Sequence, residues 1–157
     1  MTNTAINKLV IIGVGLIGGS FAMALRQAGM VKHITGVGRS AENMQRAFDQ
    51  GVIDETTTDM ASALQNADVI LLAMPVGQTE RIMEQIASHL QANTLITDAG
   101  STKQDVIAAT RRHLNQKKLT NFVPGHPIAG AEQSGVLAAK PDLFNNKHVI
   151  LTPLTET

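Results

Sequence analysis

Apolar residues along this chain fall in short continuous blocks, separated by stretches in which they recur at helical spacing. The block at 8–12, Lys-Leu-Val-Ile-Ile, is rich in β-branched side chains and does not alternate with polar ones. That pattern predicts a strand buried on both faces, ended by Gly13. Residues 16–28 carry apolar side chains at helical spacing and predict a helix, with Gly29 as its stop. The alternation then repeats: a strand at 33–37, a helix at 41–50 stopped by Gly51, a short helix at 60–65, a strand at 69–73 and a helix at 78–90. A strand at 94–97, a helix at 103–113 and a short strand at 121–123 follow. One further strand is expected at 148–151, closed by Thr152-Pro153.

Strands alternating with helices at these lengths imply right-handed βαβ crossovers and a mostly parallel sheet covered on both faces. The expected fold is doubly wound α/β. With no linker, repeat or low-complexity tract, residues 1–157 are read as one domain, a common domain size.

Composition narrows the function. Thirteen basic and thirteen acidic residues cancel, so no global field attracts nucleic acid or an anionic membrane, and a bound anion must be gripped locally. The only aromatic residues are Phe21, Phe48, Phe122 and Phe144, too few for a base-stacking surface. There is no cysteine, which removes thiol chemistry and Cys-based zinc sites. The N-terminus lacks a signal-peptide pattern and the apolar runs are too short to span a bilayer, so a cytoplasmic protein is expected.

The segment Gly13-Val-Gly15-Leu-Ile-Gly18 matches G-x-G-x-x-G, directly after the first predicted strand and at the opening of a helix. In that context Gly13 makes the tight turn, Gly15 lets the backbone approach a diphosphate, and Gly18 lets the helix pack on the sheet. The N–H groups at the helix start, around Leu16 and Ile17, suit an anion. Without a ligand, the same glycines would simply make a tight strand-to-helix turn.

At the end of the second strand an NAD enzyme carries an acid for the ribose 2′-OH; here the strand runs into Gly38-Arg39-Ser40 and the acid is missing. Gly38 leaves room where a carboxylate would repel phosphate, Arg39 can pair with a 2′-phosphate, and Ser40 can donate a hydrogen bond to it. This favours NADP over NAD. Two plainer roles remain open: Arg39 can stack on adenine, and Ser40 can cap the helix that begins at Ala41.

In an open α/β sheet, ligands gather at the carboxyl ends of the strands. After the 69–73 strand comes Met74-Pro75-Val76-Gly77, a backbone suited either to lie against a cofactor or to turn into a helix. After the 94–97 strand comes Asp98-Ala-Gly100-Ser101-Thr102-Lys103. Ser101 is placed to reach the nicotinamide, although Ser101 or Thr102 can also cap the next helix; Asp98 is expected to secure the loop through backbone hydrogen bonds. After 121–123 comes Pro124-Gly125-His126-Pro127, which puts an imidazole, able to take a proton near neutral pH, at the mouth of the crevice. His33, His89, His113 and His148 show no ligand-like spacing, and no metal site is expected.

Gly13-Val-Gly-Leu-Ile-Gly-Gly-Ser20, Asp98-Ala-Gly-Ser-Thr-Lys103 and Gly125-His-Pro-Ile-Ala-Gly130, in this order, resemble the prephenate and arogenate dehydrogenases of tyrosine biosynthesis; the His-Pro-Ile-Ala-Gly segment is the most specific of the three. The resemblance implies NAD(P)-dependent oxidative decarboxylation, with His126 taking the proton of the substrate hydroxyl and Ser101 bonding near that histidine and the nicotinamide. Glu132 falls where some members carry an acid at the site entrance. Members are longer, with a helical C-terminal domain that makes a homodimer and supplies substrate-binding residues. On that basis the 157-residue chain is expected to hold the cofactor and to turn over substrate poorly, with neither nucleic acid nor membrane as a partner. Two other readings stand beside it: a different two-domain dehydrogenase of the hydroxyacid or imine type, and a non-catalytic NADP-sensing domain in which His126 is dispensable.

Overall fold

The computed structural model describes residues 6–157, so the first five residues of the expected domain lie outside the described residues. Among the described residues eight strands and six α-helices follow in chain order: β1 (Ile6–Ile12), α1 (Leu16–Gln27), β2 (Val31–Val37), α2 (Ala41–Asp49), β3 (Glu55–Thr56), α3 (Met60–Leu64), β4 (Val69–Leu72), α4 (Thr79–Ala87), β5 (Leu95–Asp98), α5 (Lys103–His113), α6 (Gln116–Leu119), β6 (Phe122–Val123), β7 (Gly125–Pro127) and β8 (Val149–Leu151). Six strands form one sheet in the order β3-β2-β1-β4-β5-β6. Every pairing in it is parallel. This is the doubly wound architecture the alternation predicts.

The continuous apolar blocks become strands covered on both faces. In β1, Val10 and Ile12 join Ile70, Leu72 and Ile96 against α3, α4 and α5, through Leu64, Met83, Ile86 and Val106. Leu9 and Ile11 point the other way and join Ile34, Leu71, Ala22 of α1 and Met44 and Ala47 of α2. The alternation of side chains along each strand divides the core into these two layers. Gly29 and Gly51 follow α1 and α2 in the left-handed conformation, both at φ 67°, as expected of helix stops.

Some boundaries differ from expectation. β1 starts two residues earlier than the apolar block, pairing Ile6 with Val31. β3 and α6 went unpredicted: β3 is a two-residue exposed edge strand, and α6 a single turn capped by Asn115. The helix expected at 78–90 begins as a 3₁₀ turn at Val76–Gln78 and ends at Ala87. Two larger differences concern the C-terminal third. The strand expected at 148–151 leaves the main sheet and pairs antiparallel with residues 125–127, Ile150 opposite His126. The histidine segment, expected as a loop, is thus itself a strand.

Candidate functional site

The strand order places β1 beside β4, so the crossovers leaving these two strands run in opposite directions and open a crevice at their carboxyl ends. A cavity of about 490 Å³ occupies that crevice, with Gly13, Gly15, Gly38, Arg39, Ser40, Met74 and Pro75 in its wall. The turn after β1 requires glycine. Gly13 has φ 97°, and a Cβ there would lie 2.6 Å from the Met74 nitrogen. A Cβ at Gly18 would press into the Gly13 carbonyl oxygen and stand 2.9 Å from Ile11 Cγ2, so α1 can sit this close to the sheet only without a side chain there.

At its N-terminus α1, like α4 and α5, has no side-chain cap, whereas α2, α3 and α6 are capped by Ser40, Asp59 and Asn115. The amides of its first turn are therefore not taken by a side-chain cap, at the end where the helix dipole favours an anion. A dinucleotide diphosphate fits this cradle by chemistry and by space. Leu16 and Ile17 open the helix, and Ile17 also lines a second cavity.

At the end of β2, Arg39 and Ser40 are exposed. Ser40 accepts a hydrogen bond from the Asn43 amide at 3.2 Å and so does cap α2. Gly38 is not an open space: a Cβ there would lie 2.5 Å from Met44 Sδ, and Met44 is buried. An acid at this position would have to displace that methionine. Residues that the sequence reading passed over complete the wall: Asn43, Thr58, Gln78, Arg81 and Gln85. Asn43 donates to the Val14 carbonyl at 2.8 Å and bridges the glycine turn to α2. Gln78, Arg81, Ile82 and Gln85 have i, i+3, i+4, i+7 spacing, and this was the signal available for them, since such residues share one helix face.

The other two expected loops meet around Asp98, the last residue of β5. One carboxylate oxygen accepts the Gly100 amide at 2.9 Å and the other accepts the Gly125 amide at 3.1 Å. Lys103, in the first turn of α5, donates to Asp98 and, at 2.6 Å, to the Gly125 carbonyl. Asp98 is 2% exposed and Lys103 17%. The role expected of Asp98 is therefore seen, while that of Lys103 was missed. This clamp ties the Ser101 loop to the strand that carries His126. Ser101 itself is exposed, His126 is half-buried, and Glu132 is exposed in the connection beyond β7. Thr102 stands at the start of α5 without a side-chain capping bond.

The second cavity, about 270 Å³, lies between α1 and the β7–β8 pair and is walled by Phe21, Leu71, Phe144, Val149 and Leu151. Gly125 and Pro127 line it, and His126, the alternate residue of the strand, does not. No helix among the described residues is long and apolar enough to cross a membrane.

Comparison with known proteins agrees with this fold. The chain is 40% identical over 152 residues to the prephenate dehydrogenase of Bacillus subtilis, covering 96% of this chain and 40% of that protein. It superposes on prephenate dehydrogenase from A. aeolicus, solved with hydroxyphenyl propionate and NAD+, with TM-score 0.90 and 36% identity over 99% of this chain and 54% of that one. Synechocystis arogenate dehydrogenase gives TM-score 0.84 at 31% identity, over 96% of this chain and 51% of that one. The chain thus spans about half, or less, of the length of these relatives. The family model for the nucleotide-binding domain of prephenate dehydrogenase matches residues 21–157; with the glycine turn immediately before that span, the chain belongs to the prephenate dehydrogenase family through this domain.

Proposed function

We propose that this chain is the cofactor-binding part of an enzyme that oxidatively decarboxylates prephenate to 4-hydroxyphenylpyruvate or arogenate to tyrosine, with NADP favoured over NAD. The observation that carries the reading is the clamp on Asp98, which joins the Ser101 loop and the His126 strand at the carboxyl edge of the sheet. Gly13, Gly15 and the first turn of α1, with Leu16 and Ile17, hold the diphosphate. Arg39 and Ser40 face the adenosine ribose, and Met74 and Pro75 lie along the cofactor. The A. aeolicus relative was solved with NAD+. The preference for NADP in this chain is supported by Gly38-Arg39-Ser40 and by Met44 filling the space an acid would need.

When bound, the nicotinamide supplies a hydride acceptor. His126 takes the proton of the substrate hydroxyl, which makes the carbon bearing it a better hydride donor, and loss of carbon dioxide then aromatises the ring. Ser101 hydrogen-bonds beside the histidine and the nicotinamide, and Glu132 sits at the entrance. The clamp holds the two loops in register so that this proton transfer needs little reorganisation. In this reading the enzyme is cytoplasmic, its longer form is a homodimer, and the 157 residues alone bind cofactor but turn over substrate poorly.

The test is a chimera in which the remaining length of the Bacillus subtilis relative is joined to this chain, assayed with both substrates and both cofactors. His126→Asn should lower the rate by about 10²–10⁴-fold and leave cofactor affinity unchanged. Near-full activity of His126→Asn would refute the role, as would robust turnover by the 157-residue chain the claim that it is only the cofactor-binding part.

A further inference from the structure

The chain has six arginines. Four of them, Arg26, Arg46, Arg111 and Arg112, pair with carboxylates. Arg39 and Arg81 form no ion pair among the described residues, and both line the same cavity. No aspartate or glutamate stands in that lining; its other polar side chains are Ser40, Asn43, Thr58, Gln78 and Gln85. Arg39 leaves the end of β2 and Arg81 comes from α4, on the β4 side of the crevice.

Two guanidinium groups lining one cavity that holds no carboxylate make it a positive site, which favours an anionic ligand. The diphosphate of a dinucleotide is already provided for at the glycine turn and the start of α1. The remaining anion in such a ligand is a phosphate on the adenosine ribose, on the Arg39 side.

We infer that Arg81 is the second cation of a two-arginine grip on the adenosine 2′-phosphate, reaching from α4 toward the group that Arg39 meets from β2. This rests on the NADP reading above and adds a specificity-determining residue to it. Arg81 is exposed, so replacing it leaves the core untouched.

The experiment is calorimetric titration of the 157-residue chain, Arg81→Gln and Arg39→Gln with NADP, NAD, adenosine 2′,5′-bisphosphate and 5′-AMP. Arg81→Gln should weaken NADP and the bisphosphate on the order of tenfold, the weight of one charge-assisted hydrogen bond, while NAD and 5′-AMP stay unchanged. Arg81→Lys should recover part of the loss. Equal weakening of NADP and NAD would place Arg81 on the adenine or the diphosphate and overturn the inference, as would no weakening at all. If the unmodified chain binds NAD more tightly than NADP, the NADP reading itself fails and the grip with it. Unmodified preference for NADP that survives Arg81→Gln but not Arg39→Gln sinks the two-arginine grip alone.

Discussion

Replacing Lys103 by methionine isolates the energetics of the clamp between the two loops. Methionine keeps much of the aliphatic length and removes the ammonium, so the 2%-exposed Asp98 carboxylate loses its only cationic partner among the described residues. Breaking a buried ion pair from one side costs about 3–5 kcal/mol. Asp98 keeps two backbone donors, the Gly100 and Gly125 amides, and Lys103 is itself partly solvated, so the low end applies, about 3 kcal/mol. Unfolding entropy of about 2.1 cal/mol/K per residue gives roughly 0.33 kcal/mol per degree for 157 residues. The midpoint should therefore fall by about 9 °C. Thermal melts followed by circular dichroism measure this, and amide exchange at Gly125 should accelerate beyond the global change. In the Asp98→Asn background no buried charge is stranded, so Lys103→Met should cost far less there. A shift under about 3 °C, or costs that simply add in the double variant, would show that the pair does not hold the loops.

Two further outcomes follow from contacts outside the clamp. Arg112 and His113 of α5 hold Glu80 of α4 down to about 2 from its usual 4.5. A carboxylate depressed in the folded state adds stability above its unfolded value and loses it as pH falls through the folded one. The melting difference between the unmodified chain and Glu80→Gln should thus be full above pH 4.5, shrink below it and vanish near pH 2; a difference constant across that range refutes the tie. Gly38→Asp should lower the melting midpoint, because its Cβ lands 2.5 Å from the buried Met44 sulfur, at an overpacking cost of about 1–3 kcal/mol. It should also weaken NADP more than NAD, and an unchanged ratio of the two would count against the reading of the β2 end.

What the sequence by itself determined is local. The apolar blocks at β1 and β4 are unbroken because both faces of these strands are covered, and that continuity marked them as buried parallel strands. The glycine turn is local in its backbone and in its helix packing: Gly13 turns at φ 97°, and Gly18 sits beneath α1 against the Gly13 carbonyl and Ile11 of the same βα unit, so their spacing was readable. Ser40 capping α2 was readable for the same reason.

Only the tertiary structure decided how distant segments meet. β7 became a strand because β8 arrives beside it from across a long connection, pairing His126 with Ile150; neither segment has a periodicity strong enough to announce the pairing. Asp98, Lys103 and Gly125 come together because β5 and β6 lie side by side in the sheet, and Arg81 faces the Arg39 cavity because α4 follows β4, the strand beside β1. A hydrogen bond or a shared cavity between residues far apart in the chain depends on chain closure, which helical and strand periodicities do not encode.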